Sequence, residues 1–499
     1  MNILKVVLFL VFTITSIQAE LYVNAGEIDS NAVVNAEEDD VVETTLKLPN
    51  VNRIPFAAIE VVGEIKELKT VTPSLTISVD NRQIASRTML NRAGKFKTLF
   101  VVTREIRNAI KAKKETLDIK ISLKSKDQSP CYIKSVELKV LINEKYFRTS
   151  IYTRPIFTGD ETIAESVFPL SDIDAKKPAT AKLLFKPTEI LEAYTLSSGK
   201  KVDLHKDKDF KISGDTIEFL PNSNVKIIPY SSMYANTKEE AKQLGSNFHF
   251  NVIKKYALFR EGNWFHSHMV YISYKHAVIN EKVGEIYEEK ILPNTISLLK
   301  QKHPLRIVLY GDSISHGANA SGISLTIPFA PSWGDYIAQE LVRYYKAPVE
   351  YLNRALGGTS STWGEKNVGS LVCPDKPDLV ILAFGMNDRI PAEKFKANLE
   401  SMILKIRKEN PTSEIIIVTS MIANPLWHNF PMHDEYAKIC ANMQTKGIAV
   451  ANVRDVHKRL LKQKRFIDMT GNNVNHPNDF LIRIYAQTIL QKLIPTMSK

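Results

Sequence analysis

Cysteine is scarce in this chain. Cys131, Cys373 and Cys440 are all there is in 499 residues, which excludes a disulfide framework and leaves free buried thiols as the expectation. Beyond the first 20 residues no apolar run approaches the roughly 20 residues that a bilayer span needs, so no span is expected there. Internal repeats, low-complexity tracts and nucleic-acid motifs are missing as well. Charge is not concentrated. A net charge of +12 is spread over separate patches such as Lys111–Lys114, Lys254-Lys255 and Lys462–Arg465, which read as solvated surface. His266 and His268 alternate on one expected strand face, but no third ligand accompanies them, so no metal and no cofactor are expected.

What is present is ordinary globular composition, with 44% hydrophobic and 24% charged residues. A length of 499 residues exceeds one core and implies two to four domains at about 150 residues each. Met1–Ala19 reads as a secretory leader. Lys5 supplies the positive start, Val6–Ile14 the apolar stretch and Ser16–Ala19 the cleavage site. A secreted or periplasmic location follows as the expectation.

Residues 20–150 are expected to form a β-sandwich-like domain. Leu75–Val79 and Leu117–Leu123 alternate apolar and polar side chains, and Val136, Leu138, Val140 and Ile142 share one face. Residues 151–290 are expected to form a second β-rich domain. Leu191–Leu196, Thr216–Phe219, Val225–Ile228 and Met269–Tyr274 read as strands, separated by turn signals at Ser197–Lys200 and Ser213–Asp215. From about residue 291 the rhythm becomes strand–helix alternation. Apolar strands at Arg306–Tyr310, Val349–Asn353, Asp378–Phe384, Glu414–Ser420 and Ile448–Val453 imply a parallel sheet covered on both faces.

Four segments of this last region fall at strand ends or helix starts. Gly311-Asp312-Ser313-Ile314 offers a hydroxyl at a strand-to-helix turn. Asn353 to Ser360 contains Gly357-Gly358, where a bare backbone N–H can face a ligand. Gly385-Met386-Asn387-Asp388 offers a side-chain amide after a strand. His476, in Asn473 to Pro477, is a base just ahead of the final helix. Serine is a poor nucleophile until a base and oxyanion donors surround it, and these segments supply both.

In this order the four segments resemble the blocks of the SGNH, or GDSL-type, esterase and lipase superfamily. The resemblance covers Ile307 to the C-terminus and is silent on residues 20–290. It implies a three-layer α/β/α, flavodoxin-like domain over 291–499. Ser313 is then the nucleophile, His476 the base, and Ser313 N–H, Gly358 N–H and the Asn387 amide the oxyanion hole. One position departs from the family, which usually has Asp three residues before the histidine; here Asn473 stands there. Asn473 can accept the imidazole N–H but carries no charge to stabilise an imidazolium. Asp468 is the preferred substitute, and Asp479 more simply caps its helix. Trp427 and His428, in the loop after Glu414–Ser420, are candidates for stacking on a sugar.

The expected activity is hydrolysis of small acyl esters, acetyl above all, on a carbohydrate. Export and two appended β-rich domains resemble polysaccharide-active enzymes. A long-chain lipid esterase of the same superfamily, or a carbohydrate-binding protein with a weak hydrolase domain, are the alternatives. The substrate is the one partner expected.

Overall fold

Two periodicities organise the chain, and the burial of side chains follows them. Leu75, Ile77 and Val79, then Leu117, Ile119, Ile121 and Leu123, are buried at every second position, which is how a strand puts one face on a core. Further along, the strands Leu379–Ala383 and Glu414–Val418 are buried at every position, as strands covered on both faces are.

The computed structural model describes residues 156–495 except 174–176, 246–247, 251–255, 281–286, 325 and 426–430. Ahead of these it describes residues 5–8, 23–24, 34–35, 40–47, 56–65, 74–80, 82–88, 94–102, 105–106, 109, 112–124 and 131–141. Most of Met1–Ala19 therefore lies outside the described residues, as do Trp427 and His428. The chain falls into two compact units: residues 1–148 with 306–310 and 350–357, and the remainder.

The described residues of 1–148 form two mainly antiparallel sheets. In one, Asp40–Lys47, Thr116–Lys124, Ser74–Val79 and Arg82–Thr88 are neighbours in that order; in the other, Cys131–Leu141, Phe56–Ile65 and Gly94–Val101 are. Three of the expected strands fall in Ser74–Val79, Thr116–Lys124 and Cys131–Leu141.

Residues 149–305 are also β-rich. Thr158–Val167, Val270–Asn280, Pro187–Ser197 and Lys200–Asp203 pair antiparallel, and a second sheet joins Thr180–Lys182, Thr216–Phe219 and Phe210–Ser213. Val167, Leu183, Phe210, Ile217, Phe219, Ile272 and Tyr274 share one core. Val225–Ile228, expected as a strand, is instead irregular, with a single bridge from Ile228 to Leu170. Among the described residues its pairing is this one bridge, and an apolar-polar alternation without a ladder does not make a strand. A small sheet of Tyr234–Ala235, Tyr256–Leu258 and Phe248–Phe250 ends at Leu258, three residues before Glu261.

The C-terminal region is an α/β sheet. Its strands are β1 (Leu305–Gly311), β2 (Val349–Asn353), β3 (Leu379–Ala383), β4 (Glu414–Val418) and β5 (Ile448–Ala451). They lie in the order β2-β1-β3-β4-β5, with β3, β4 and β5 parallel. The described helices that follow β1 are α1 (Ser313–His316), α2 (Trp333–Tyr345), α3 (Ser361–Leu371), α4 (Ala392–Glu409), α5 (Pro431–Asn442), α6 (Val453–Leu460) and α7 (Asp479–Leu490). Strand order reverses between β1 and β3, and ligands of such sheets bind where the loops after the strands part. Ser313 follows β1 and Asn387 follows β3. Asp479 does not cap α7; Asn478 does, accepting from Phe480 N and Leu481 N. Cys373 and Cys440 are buried free thiols.

Candidate active site

β1 runs straight into the turn that carries Ser313. Gly311 is required there by a close approach, because a Cβ on it would lie 2.3 Å from Ala383 O and 2.5 Å from Ser315 Oγ. Asp312 accepts from Ile314 N at 3.0 Å and so caps α1, while Gly317 ends it in the left-handed region at φ +96°. Asp312 is fully buried. Burial pushes its carboxyl up to about 7, and Asp388 adds to this, while the Ile314 N–H and the charge of His476 oppose it.

That shift has a sign. A carboxyl whose folded value lies above its unfolded one contributes stability at low pH that is lost as pH rises through about 7. Asp312→Asn keeps a capping oxygen and removes the titration. Thermal unfolding should show the variant gaining on the wild type between pH 5 and pH 8. A gap between the two that is the same at both pH values would refute this.

The second and third segments are tied to the first. Thr359 Oγ1 donates to Gly311 O at 3.3 Å, and the Asn387 amide donates to Thr359 O at 3.0 Å. Asp388 accepts from Ser361 N at the start of α3, with 3.0 Å to each oxygen, and from Ser361 Oγ. Gly358 is exposed with φ +77°, a conformation that an L side chain takes on only with strain. Asn387 retains its second amide hydrogen for a ligand.

His476 sits in a loop built on Asn472, whose side-chain oxygen accepts from Val474 N, Asn475 N and His476 N at 2.9 to 3.0 Å. Thr470 Oγ1 and Gly471 N donate to His476 O. The imidazole Nε2 lies 2.8 Å from Ser313 Oγ. Its Nδ1 lies 2.7 Å from Asn319 Oδ1 and 3.2 Å from Glu261 Oε2. Both of these are acceptors, so Nδ1 carries the proton and Nε2 presents its lone pair to the serine hydroxyl.

Neither residue expected to orient His476 does so. Asn473 is fully buried at φ +65°; its amide donates to Leu258 O at 3.0 Å and its side-chain oxygen accepts from Asn424 at 3.0 Å. The left-handed backbone turns it away from the ring that follows. Asp468 is committed elsewhere, to Arg465 at 2.7 and 3.0 Å and to Phe168 N at 2.8 Å. Full burial works to raise its carboxyl, and the charge and hydrogen bonds of Arg465 overcome this and hold it low. Glu261 and Asn319 were missed. Glu261 precedes the nucleophile in sequence and belongs to no segment of the family pattern. Asn319 left one trace, a Gly317-Ala318-Asn319 turn in which asparagine tolerates left-handed φ, here +62°.

His266 and His268 do not alternate on a strand face. They stand on a 3₁₀ turn, His266 between Tyr271 OH and Asn319 O, and His268 against Trp264 O. Among the described residues no group of three or more histidine, cysteine, aspartate or glutamate side chains could hold a metal ion.

Residues 309–480 match the model of the GDSL-like lipase/acylhydrolase family. No curated protein sequence matches the chain. Among solved structures, a two-domain esterase active on acetylated mannans is similar at 18% identity and TM-score 0.36, over 43% of this chain and 55% of that one. This chain thus spans about half the length of that esterase. A catalytic variant of an acetylxylan esterase from Geobacillus stearothermophilus is similar at 17% identity and TM-score 0.33, over 39% of this chain and 96% of that one. An alpha/beta hydrolase from the metagenome of Lake Arreo, Spain, is similar at 18% identity and TM-score 0.30, over 37% and 93%. With Ser313 after the first strand and His476 before the last helix, both inside the matched span, residues 309–480 are a GDSL-like lipase/acylhydrolase domain.

Proposed function

We propose that the protein is an exported serine esterase that removes small acyl groups, acetyl above all, from a carbohydrate. The observation that carries the hydrolase chemistry is the 2.8 Å contact of Ser313 Oγ with His476 Nε2, the other ring nitrogen being held by acceptors. Ser313 Oγ attacks the ester carbonyl as Nε2 takes its proton. The oxyanion is met by Ser313 N–H, Gly358 N–H and the free hydrogen of the Asn387 amide. The imidazolium then gives its proton to the leaving sugar oxygen, and an acyl-serine remains. Water repeats the two steps: Nε2 takes its proton, the acid departs and Ser313 is restored.

Support for the small acyl group and the sugar comes from architecture. Two β-rich regions precede the hydrolase domain, and Met1–Ala19 has the pattern of an export leader. The large exposed apolar side chains among the described residues are Ile173, Leu191, Leu244, Val278, Tyr344 and Leu404. None belongs to the segments around Ser313, Gly358, Asn387 or His476, where a lipase surface would place them. The test compares kcat/KM of the full chain on acetylated xylo- and manno-oligosaccharides with that on long-chain acyl esters. At least about tenfold preference for acetyl is expected, the size of one or two lost contacts. Preference for long chains would overturn the substrate reading.

A further inference from the structure

We propose that Glu261, which lies outside the family-matched span, is the carboxylate that completes the Ser313–His476 pair, and that it shares with Asn319 the work usually done by one aspartate. The inference rests on the esterase reading above and goes beyond it, because residues 309–480 alone then hold an unfinished site.

The loop that carries Glu261 is built to reach His476. The strand Tyr256–Leu258 delivers Phe259-Arg260-Glu261, and Arg260 N meets Asn472 O at 3.5 Å. Glu261 Oε1 accepts from the Asn472 amide at 3.2 Å, which leaves Oε2 facing His476 Nδ1 at 3.2 Å. Asn472 therefore holds both partners, His476 through its oxygen and Glu261 through its amide. The Glu261 side chain is 46% exposed, so its charge is partly screened. Loss of solvation works to raise its carboxyl; hydrogen bonds and charge from His476, with Asn472 and Asn319, outweigh that and hold it below the ordinary range.

Asn319 contributes what charge does not. Its amide donates to Gly471 O at 3.1 Å and Gly262 O at 3.4 Å, which fixes its oxygen toward Nδ1 at 2.7 Å. Its own carbonyl accepts from His266 Nε2 at 2.8 Å. A Cβ on Gly471 would lie 2.5 Å from Asn319 Cβ, so glycine is needed there for the approach. The roles divide cleanly. Asn319 fixes the tautomer of neutral His476. Glu261 stabilises the imidazolium that forms when the ring takes the proton of Ser313. Both are positioning residues, since neither touches the reacting atoms.

Removing a triad carboxylate can cost about 10⁴ in rate, and much of that is the wrong tautomer. Asn319 keeps the tautomer, so the loss on removing Glu261 is smaller. The experiment measures kcat, KM and the pH profile of p-nitrophenyl acetate hydrolysis by the full chain. Wild type, Ser313→Ala, Glu261→Gln, Glu261→Asp and the double variant Glu261→Gln/Asn473→Asp are compared. Glu261→Gln should lower kcat by about 10- to 10³-fold with KM within about threefold, and move the acid limb of kcat/KM to lower pH, because the ring has lost its counter-charge. A merely structural role would leave that limb in place. Glu261→Asp should recover part of kcat. Adding Asn473→Asp should recover none, because that side chain faces Leu258 O and Asn424. The proposal fails if Glu261→Gln keeps kcat within twofold and the same acid limb, or if Asn473→Asp restores the rate. If Ser313→Ala hydrolyses the ester as fast as the wild type, the esterase reading itself has failed.

Discussion

Ser313→Ala is expected to lower kcat on an acetyl ester by at least about 10⁴-fold, with KM little changed. The variant deletes one oxygen on a turn whose geometry is set by other atoms. Gly311 is packed against Ala383 O, and Asp312 caps the short helix, so the fold should persist. The residual rate should come from the oxyanion donors alone. His476→Ala should fall to a similar level, and the double variant should fall little further, because nucleophile and base act as one unit through their 2.8 Å contact. Steady-state kinetics of the three variants checks this, with circular dichroism to confirm folding. Two separate losses that multiplied in the double variant would mean that Ser313 and His476 act independently.

Much of the hydrolase domain could be read in the sequence, for a physical reason. Strands buried on both faces leave near-continuous apolar runs, and β3 and β4 stand within one or two residues of the expected segments. Ser313, Gly358, Asn387 and His476 sit at the ends of those elements, so locating the elements located them. The partner of His476 was hidden because its identity is a tertiary fact. Glu261 lies 215 residues from His476 in sequence and reaches it only because a strand of another region ends at Leu258. Asn473 misled for the opposite reason. It occupies the family position, yet a left-handed backbone turns its side chain to Leu258 O. Asp468 is near His476 in sequence but is taken by Arg465, three residues away, and that competition is invisible in the spacing to the histidine.

The upstream β-rich region does more than lend Glu261, and this sets the largest expected stability effect. Lys464 and Glu165 are an ion pair with both side chains fully buried. Glu165 also accepts from Leu184 N at 2.9 Å and from Tyr274 OH at 2.6 Å. Lys464 also donates to Ser166 O at 3.1 Å and Lys182 O at 3.4 Å. The adjacent Ser166 hydroxyl donates to Asp468 O and accepts from the Asn478 amide, and Asn478 caps α7 two residues after His476. Lys464→Met keeps the volume and removes the charge, leaving a buried carboxylate with neutral partners. A cost of about 3–5 kcal/mol is expected, read as a lower urea midpoint of the full chain. Adding Glu165→Gln should recover part of it, since the stranded charge and not the lost attraction dominates the penalty. Hydrolysis by the molecules that remain folded should change far less than stability, because the pair holds the end of the His476 loop and not the ring. A cost under about 1 kcal/mol would mean that water reaches Glu165 once the lysine is gone, and that the two regions are held together by their apolar contacts instead.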